Sequence, residues 1–416
     1  MRRSLSFTAL VSALAACGGT TPRGPTESSA VAAETTTTAA TAPAAPAKTV
    51  AEASVLRIMV GGDIIPHRPR LLSPESIGQA LAPMQALFAT AHAVVANHEA
   101  ALVDDTERYE PVRAALVATP RWTRELAKSR IAALTLANNH ACDAGLGGLE
   151  RTIGVVEDLG LVGIGADASD AFRPRVLAAR AGRRVCAIAW TSKVNAESSK
   201  CASSSKLAVA PYGAEGEALI EQAVKAARAA SCDAVIAIGH SGDEYAQQTE
   251  AAREQARIAA AAGADVVVLH HPHVPSGIEV VTTDDGRRVP LFLSLGNLVS
   301  NQGESWHPGM AAASIDRVRV STNAWTRLGL VADLTFTWES GASSRAGAAS
   351  LAWGYHLVWT DNERERDHGR KPERIATRPL VRDSDQPIIA VLARDRKGPS
   401  RLFESPCWLA VGPGCK

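Results

Sequence analysis

Three histidines stand within four positions in His270-His271-Pro272-His273, directly after the apolar run Val266-Val267-Val268-Leu269. Four other short stretches carry a similar mixture of imidazole, carboxylate and amide. Asp63 and His67 follow one apolar run, and Asn97, His98 and Glu99 end another. Asn138, Asn139, His140 and Asp143 follow a third; His240, Asp243 and Glu244 follow a fourth. These side chains are the donors that divalent ions such as zinc, manganese or iron take. Two such ions held close together can clamp a phosphoryl group while activating water. One polar loop residue is ordinarily just solvated, but five clusters at the same place relative to an apolar run point to one shared rim. Pro272 stiffens the turn between His271 and His273, so both rings can face the same way.

Strands and helices able to carry these residues can be read from the patterning. Residues 55–60, 93–97, 131–137, 184–190, 233–239 and 264–270 are short Val- and Ile-rich runs, as expected of strands covered on both faces. Residues 145–160, 216–230 and 248–263 carry apolar side chains at helical spacing, two of these stretches ending on Gly160 and Gly263 as caps. The alternation predicts an α/β domain, whose chemistry collects where loops diverge at the carboxyl ends of strands. From residue 278 an Asp285-Gly286 turn signal between two apolar runs predicts an antiparallel pair, and residues 328–338 predict a further strand. Beyond residue 340 the pattern loses its period and is read as irregular structure packed on the domain. No repeat of fixed period is present.

The N-terminus, MRRSLSFTALVSALAACGG, has two arginines and then an apolar run too short to span a bilayer permanently. Residues 1–17 read as an export signal. Its end, Leu14-Ala15-Ala16-Cys17, resembles the bacterial lipoprotein signal in which Cys17 becomes the lipidated terminus; ordinary cleavage with Cys17 as an incidental thiol is the alternative. Residues 18–53 are rich in Thr, Ala and Pro, bury too little to fold, and read as a disordered tether. The expectation is an exported domain held to a bacterial membrane by lipid, facing the periplasm or the cell surface. With 44 Lys and Arg against 43 Asp and Glu, the net charge of +1 and the lack of a basic stripe argue against nucleic acid. Six cysteines besides Cys17 in an exported chain suggest disulfides, Cys407 and Cys415 being the easiest pair to close.

Rival catalytic constellations fit less well. The stretch GHSGD has its serine one position early for a nucleophile elbow and no helix directly after it. Cys142 near His140 could be drawn as a thiol nucleophile, but an exported cysteine is more often disulfide-bonded. Neither a Walker A loop nor a G-x-G-x-x-G turn follows the first strand.

Taken in order, GGD, NHE, LANNHACDAG, GHSGDEY, GADVVVLHHPHV and LFLSLGN resemble the CapA family of capsule-synthesis proteins associated with bacterial poly-γ-glutamate, itself similar to the calcineurin-like metallophosphoesterases. The resemblance implies an αββα sandwich, mixed sheets flanked by helices, over residues 54–339, with 340–416 as a C-terminal extension. It implies one or two divalent ions (Zn, Mn or Fe) on Asp63, Glu99, Asn139, His240, His271 and His273. His140 would be a general acid or phosphate-orienting imidazole, and Glu244 would order His240. Asn97, Asn138, Asp143 and Asn297 would support the ligands, with Ser294 to Asn297 closing the site from the late strands. Three positions depart from the pattern: Ile65 stands where a histidine usually follows the first aspartate, Leu269 where a glycine precedes the paired histidines, and His98 where an apolar residue is usual.

The expected function is a part in the synthesis or export of an anionic surface polymer, within a capsule-synthesis complex. The site would act as a metal-dependent hydrolase on a phosphoester or on the polymer. The alternatives are a polymer-binding assembly factor without turnover and a surface scaffold with a degenerate site.

Overall fold

The apolar runs become strands because both of their faces are covered. The computed structural model describes residues 53–66, 73–106, 115–195, 199–310, 315, 319–339, 349–362, 375–409 and 415. The export signal, Cys17, the tether up to residue 52 and His67 lie outside the described residues. The first strands are β1 (Ser54–Ile64), β2 (Ala93–His98), β3 (Ala101–Leu102), β4 (Val117–Ala118), β5 (Ala133–Thr135) and β6 (Val162–Ile164). Then come β7 (Arg175–Arg180), β8 (Arg183–Thr191), β9 (Ala234–His240), β10 (Val266–His270), β11 (Ile278–Thr282) and β12 (Arg288–Phe292). The last are β13 (Asn297–Val299), β14 (Leu328–Trp338), β15 (Ser350–Asp361) and β16 (Ala376–Pro379). The helices are α1 (Pro74–Leu81), α2 (Gln85–Phe88), α3 (Pro120–Lys128), α4 (Gly145–Asp158), α5 (Ala214–Ala229), α6 (Glu250–Ala262) and α7 (Gln386–Leu392).

One sheet has the order β16-β15-β14-β1-β2-β5-β6 with β13 also on β1; the other has the order β11-β12-β10-β9-β8-β7; β3 and β4 form a small pair. In the first sheet β1, β2, β5, β6 and β13 are parallel, whereas β14, β15 and β16 join antiparallel. In the second, β8, β9, β10 and β12 are parallel between antiparallel edges β7 and β11.

Period-2 alternation splits each run between two layers. Leu56, Ile58 and Val60 of β1 share one core with Val185, Ala187 and Ala189 of β8, Ala234, Ile236 and Ile238 of β9, and Val266 and Val268 of β10. This is the interior between the sheets. The intervening residues (Met59, Cys186, Ile188, Val235, Ala237, Val267) join a second core with Ile77 of α1, Trp122 of α3, Leu149 of α4, Val224 of α5 and Ala256 of α6. An αββα sandwich results, as the resemblance implied. The helices start where capping predicts: Thr119 accepts from Trp122 N at α3 and Thr249 from Ala252 N at α6. Gly263, at φ 124°, ends α6.

The expected hairpin forms, with β11 against β12 and Gly286 at φ 83° in its turn. The expectation of irregular structure after residue 340 is corrected. Residues 350–361 are β15, paired along its length with β14, so the first sheet runs across the boundary drawn at 339. Trp353, Tyr355, Leu357 and Trp359 do alternate inward, but Val358 between the last two is apolar as well and joins the other core, which blurs the period. Gly354 is needed because a Cβ there would stand 2.7 Å from Leu409 Cδ2 and 2.9 Å from the Cys407 carbonyl oxygen. Among the described residues no helix is long and apolar enough to cross a membrane.

Candidate metal centre

Parallel strands bring their carboxyl ends to a common rim, and five of them deliver polar side chains there. Near the end of β1, Asp63 stands opposite Asn97 of β2 and Asn297 of β13 in the ladder. β9 ends with His240, opposite His270 of β10 and Thr191 of β8. The close approach at Asp63 requires glycine: a Cβ on Gly62 would lie 2.0 Å from the Gly296 carbonyl oxygen, the group that accepts from the N–H of Asp63. Past β10 the backbone bends sharply, with His271 at φ 99° and His273 at φ 57°. Non-glycine residues in the left-handed region are costly, and such strain concentrates where side-chain aim matters.

Glu99 stands at the middle of the cluster. Its Oε1 lies 3.6 Å from His273 Nε2, 3.7 Å from His240 Nε2 and 4.0 Å from His140 Nε2. On one side His273 Nδ1 is 3.1 Å from Asp63 Oδ2 and 3.2 Å from Asn297 Oδ1. On the other, His271 Nδ1 is 3.1 Å from His240 Nε2, and Asn139 Oδ1 is 2.8 Å from the same nitrogen. Two donor triads sharing Glu99 result, Asp63-Glu99-His273 and Glu99-His240-His271, each with ligand atoms within 4.8 Å of one another. All five side chains are buried.

Burial governs the charge states. It raises the Glu99 carboxyl well above its ordinary range, against the pull of His273 and with Asp63 and Glu244 adding repulsion. It likewise lowers His240 and His271 well below the usual imidazole value, each helped by neighbouring imidazoles. Burial would raise Asp63 too, but its hydrogen bond to His273 and the adjacent imidazoles bring it below the usual carboxylate value. His273 is pushed up to about 9: burial opposes its charge, and Glu99 and Asp63 overcome that.

The donor set fits a divalent ion on its own geometry. Both carboxylate oxygens of Glu99 and Nε2 of His271 are buried without any hydrogen-bond partner. A buried carboxylate without donors is costly, and a cation between the triads would relieve it while meeting oxygen and nitrogen ligands of the right kind.

The surrounding amides hold the donors in place. Asn97 Nδ2 donates to Asp63 Oδ1 at 2.8 Å, while its Oδ1 accepts from Thr135 Oγ1 and Asn138 Nδ2. Asn138 Oδ1 accepts the N–H of His140, and Asp143 Oδ2 lies 2.7 Å from His140 Nδ1. Asn297 Nδ2 donates to the carbonyls of His273 and Thr326 and to Gln302 Oε1.

Other expected residues take different places. Glu244 is exposed at the edge of the cluster, near enough to act on the charge of Glu99 and His273, but it makes no hydrogen bond to His240, whose Nδ1 lies 3.3 Å from Asn97 Nδ2. His98 points to the opposite side of β2 from Asn97 and Glu99, its ring edge-on to Trp122 and its Nε2 3.0 Å from Thr123 Oγ1; burial lowers it to about 4. His270 faces the first sheet, with Nε2 3.1 Å from the Gly61 carbonyl oxygen. Ser241, the serine of GHSGD, donates to Gln255 Oε1 within the core. Cys142 is bonded to Cys201, Cys186 to Cys232 and Cys407 to Cys415.

Asn195 was not among the expected residues; its Nδ2 lies 3.3 Å from His140 Nδ1 and its Oδ1 accepts from Asn139. It follows β8, so the carboxyl-end rule applied to Thr191-Ser192-Lys193-Val194-Asn195 would have found it. Tyr245 was also missed; its ring centre lies 5.9 Å from that of His273, and its hydroxyl accepts from Gln302.

The molecule is thus an αββα protein with a buried centre suited to divalent metal at its strand-end rim. The sequence profile of the family described as "Bacterial capsule synthesis protein PGA_cap" matches residues 57–302, and the chain belongs to that family. It is 34% identical over 173 residues to the PGA biosynthesis protein CapA of Bacillus subtilis (strain 168), covering 41% of this chain and 43% of that one. It is 29% identical over 209 residues to the capsule biosynthesis protein CapA of Bacillus anthracis, covering 49% of this chain and 48% of that one. The chain thus matches under half the length of these relatives. Among solved structures, it is similar to the calcineurin-like phosphoesterase YfkN from Bacillus subtilis at 14% identity and a TM-score of 0.39, covering 72% of this chain and 91% of that one.

Proposed function

We propose that this protein takes part in making or exporting an anionic cell-surface polymer of the poly-γ-glutamate kind, and that its metal centre cuts or transfers a phosphoester or polymer bond. The placement of Glu99, with two unpartnered oxygens among three imidazoles, carries the reading. Membership of the capsule-synthesis family supports the polymer. Asp63, Glu99, His240, His271 and His273 would hold one or two divalent ions, with Asn139 beside them. Bound there, the metal supplies Lewis acidity toward a phosphoryl or carbonyl oxygen and acidifies water.

The chain's own part in the chemistry centres on His140. Asp143 accepts from its Nδ1–H, which leaves the lone pair of Nε2 on the Glu99 side to take a proton from water; the imidazolium so formed, stabilised by Asp143, would give that proton to a departing oxygen or nitrogen. Asn138 fixes its backbone, and Asn195 flanks the ring. Burial of the cluster keeps competing water away from it.

We also propose lipid attachment at Cys17, which the N-terminal sequence supports and a Cys17→Ser variant tests by whether the protein leaves the membrane fraction. For the centre itself, His140→Ala in the full chain is the direct experiment. Loss of phosphoester or polymer cleavage with metal retained supports a catalyst; a variant that sustains polymer production unchanged shows the centre binding without turnover.

A further inference from the structure

A cavity of about 500 Å³ opens between the Gly277–Glu279 segment and the C-terminal stretch Arg396–Ser405, apart from the metal donors, none of which lines it. Its charged lining is uneven. Arg253 is paired with Glu279, but Arg396 and Arg401 have no carboxylate partner among the described residues. In a chain of net charge +1, two uncommitted guanidinium groups on one cavity make a local positive patch. Gln247 adds a buried Nε2 that no acceptor meets.

The cavity walls are fixed rather than loose. Asp395 turns inward, where its Oδ2 accepts from Trp325 Nε1 at 2.7 Å and Ile315 N at 2.8 Å, leaving its neighbours Arg394 and Arg396 exposed. Gly398 lies so close to the Trp325 ring that a Cβ would stand 2.2 Å from it. On the other side Tyr355 donates from its hydroxyl to the Leu402 carbonyl, and its N–H donates to the carbonyl of Cys407, which is bonded to Cys415. Trp353, Pro399 and Leu402 give the cavity an apolar floor.

We infer that this cavity is a binding site for a polycarboxylate chain. Arg396 and Arg401 would each take a carboxylate, Gln247 Nε2 would donate to a chain carbonyl, and the apolar floor would take the methylene groups between the charges. An inorganic polyphosphate has no methylenes to place on that floor. The inference shares an anionic chain with the function proposed above, but its residues are separate from the metal donors, so the two fail independently.

The test is titration of the full chain, by calorimetry and by tryptophan fluorescence, with γ-linked hexaglutamate, neutral hexaglutamine and inorganic polyphosphate. Hexaglutamate is expected to bind, hexaglutamine not to, and added salt to weaken the binding. The doubly substituted Arg396→Glu/Arg401→Glu chain should bind at least about tenfold more weakly with metal content unchanged, and Arg396→Gln/Arg401→Gln should show a smaller loss if charge reversal impairs folding. His271→Ala should leave the binding intact. Equal binding of hexaglutamate and hexaglutamine, wild-type affinity in both arginine variants, or polyphosphate binding as tightly as hexaglutamate would overturn the inference.

Discussion

Nδ1 of His271 lies 3.1 Å from Nε2 of His240, and the two residues come from the ends of neighbouring parallel strands. Ring nitrogens that face one another inside a protein need a shared proton or a shared cation, and Glu99 beside them lacks any donor. The full chain is therefore expected to copurify with about one or two equivalents of divalent metal, and His271→Ala or Glu99→Gln to lose at least one. Elemental analysis of the three proteins decides it; a wild-type chain that stays metal-free after incubation with zinc, manganese and iron excludes the proposed centre.

Metal bound to the native state alone stabilises it by mass action. Chelation should lower Tm, and the shift should vanish in Asp63→Asn/Glu99→Gln. Equal shifts in both proteins would place the metal at another site.

His140 is held by Asp143 and flanked by Asn195 but belongs to neither donor triad. His140→Ala is expected to keep the metal and to lose activity by about 10²–10⁴-fold, the usual range for removing a proton-transfer group. Asp143→Asn should fall in between. Loss of metal in His140→Ala would instead make this imidazole a ligand.

Gly62 touches the Gly296 carbonyl where β1 delivers Asp63. Gly62→Ala should cost roughly 1–3 kcal/mol or more by overpacking and should also weaken metal retention, because Asp63 moves with its strand. Denaturant titration beside metal analysis tests both; an unchanged midpoint would refute the packing argument.

Away from the site, Arg57 and His356 both hold Asp333: Arg57 Nε donates at 2.8 Å, and His356 Nε2 lies 3.0 Å from its Oδ2. Burial opposes the charge on Asp333, but these partners win and bring its pKa below the ordinary carboxylate value. A carboxylate whose folded pKa is depressed contributes stability fully above its unfolded pKa, about 4, and loses it as pH falls through the folded value. Asp333→Asn should thus cost roughly 1–3 kcal/mol at neutral pH, with the gap from wild type closing below about pH 4. A gap that stays constant across that range would show that Asp333 acts through shape rather than charge.

Local chemistry in the sequence was enough to set the strand runs, the helices with their glycine ends, and the placing of Asp63, Glu99, Asn139, His240, His271 and His273 at strand ends. A run buried on both faces must be apolar throughout, so the first polar residues after it mark where it surfaces. Even the correct side for Asn97 and Glu99, and the opposite side for His98, lies in the period of two. Whether Glu244 bonds to His240 depends on how the loop after β9 turns, and that loop sends Tyr245 toward His273 and leaves Glu244 exposed at the edge of the cluster with no bond to His240. It took the assembled layers to put Glu99 between the two triads, to complete the first sheet with β15, and to bring Arg396 and Arg401 to the border of one cavity beside Gln247. In each case the arrangement joins residues far apart in the chain, and contacts between distant segments are set by the packing of whole layers, which local periodicity does not encode.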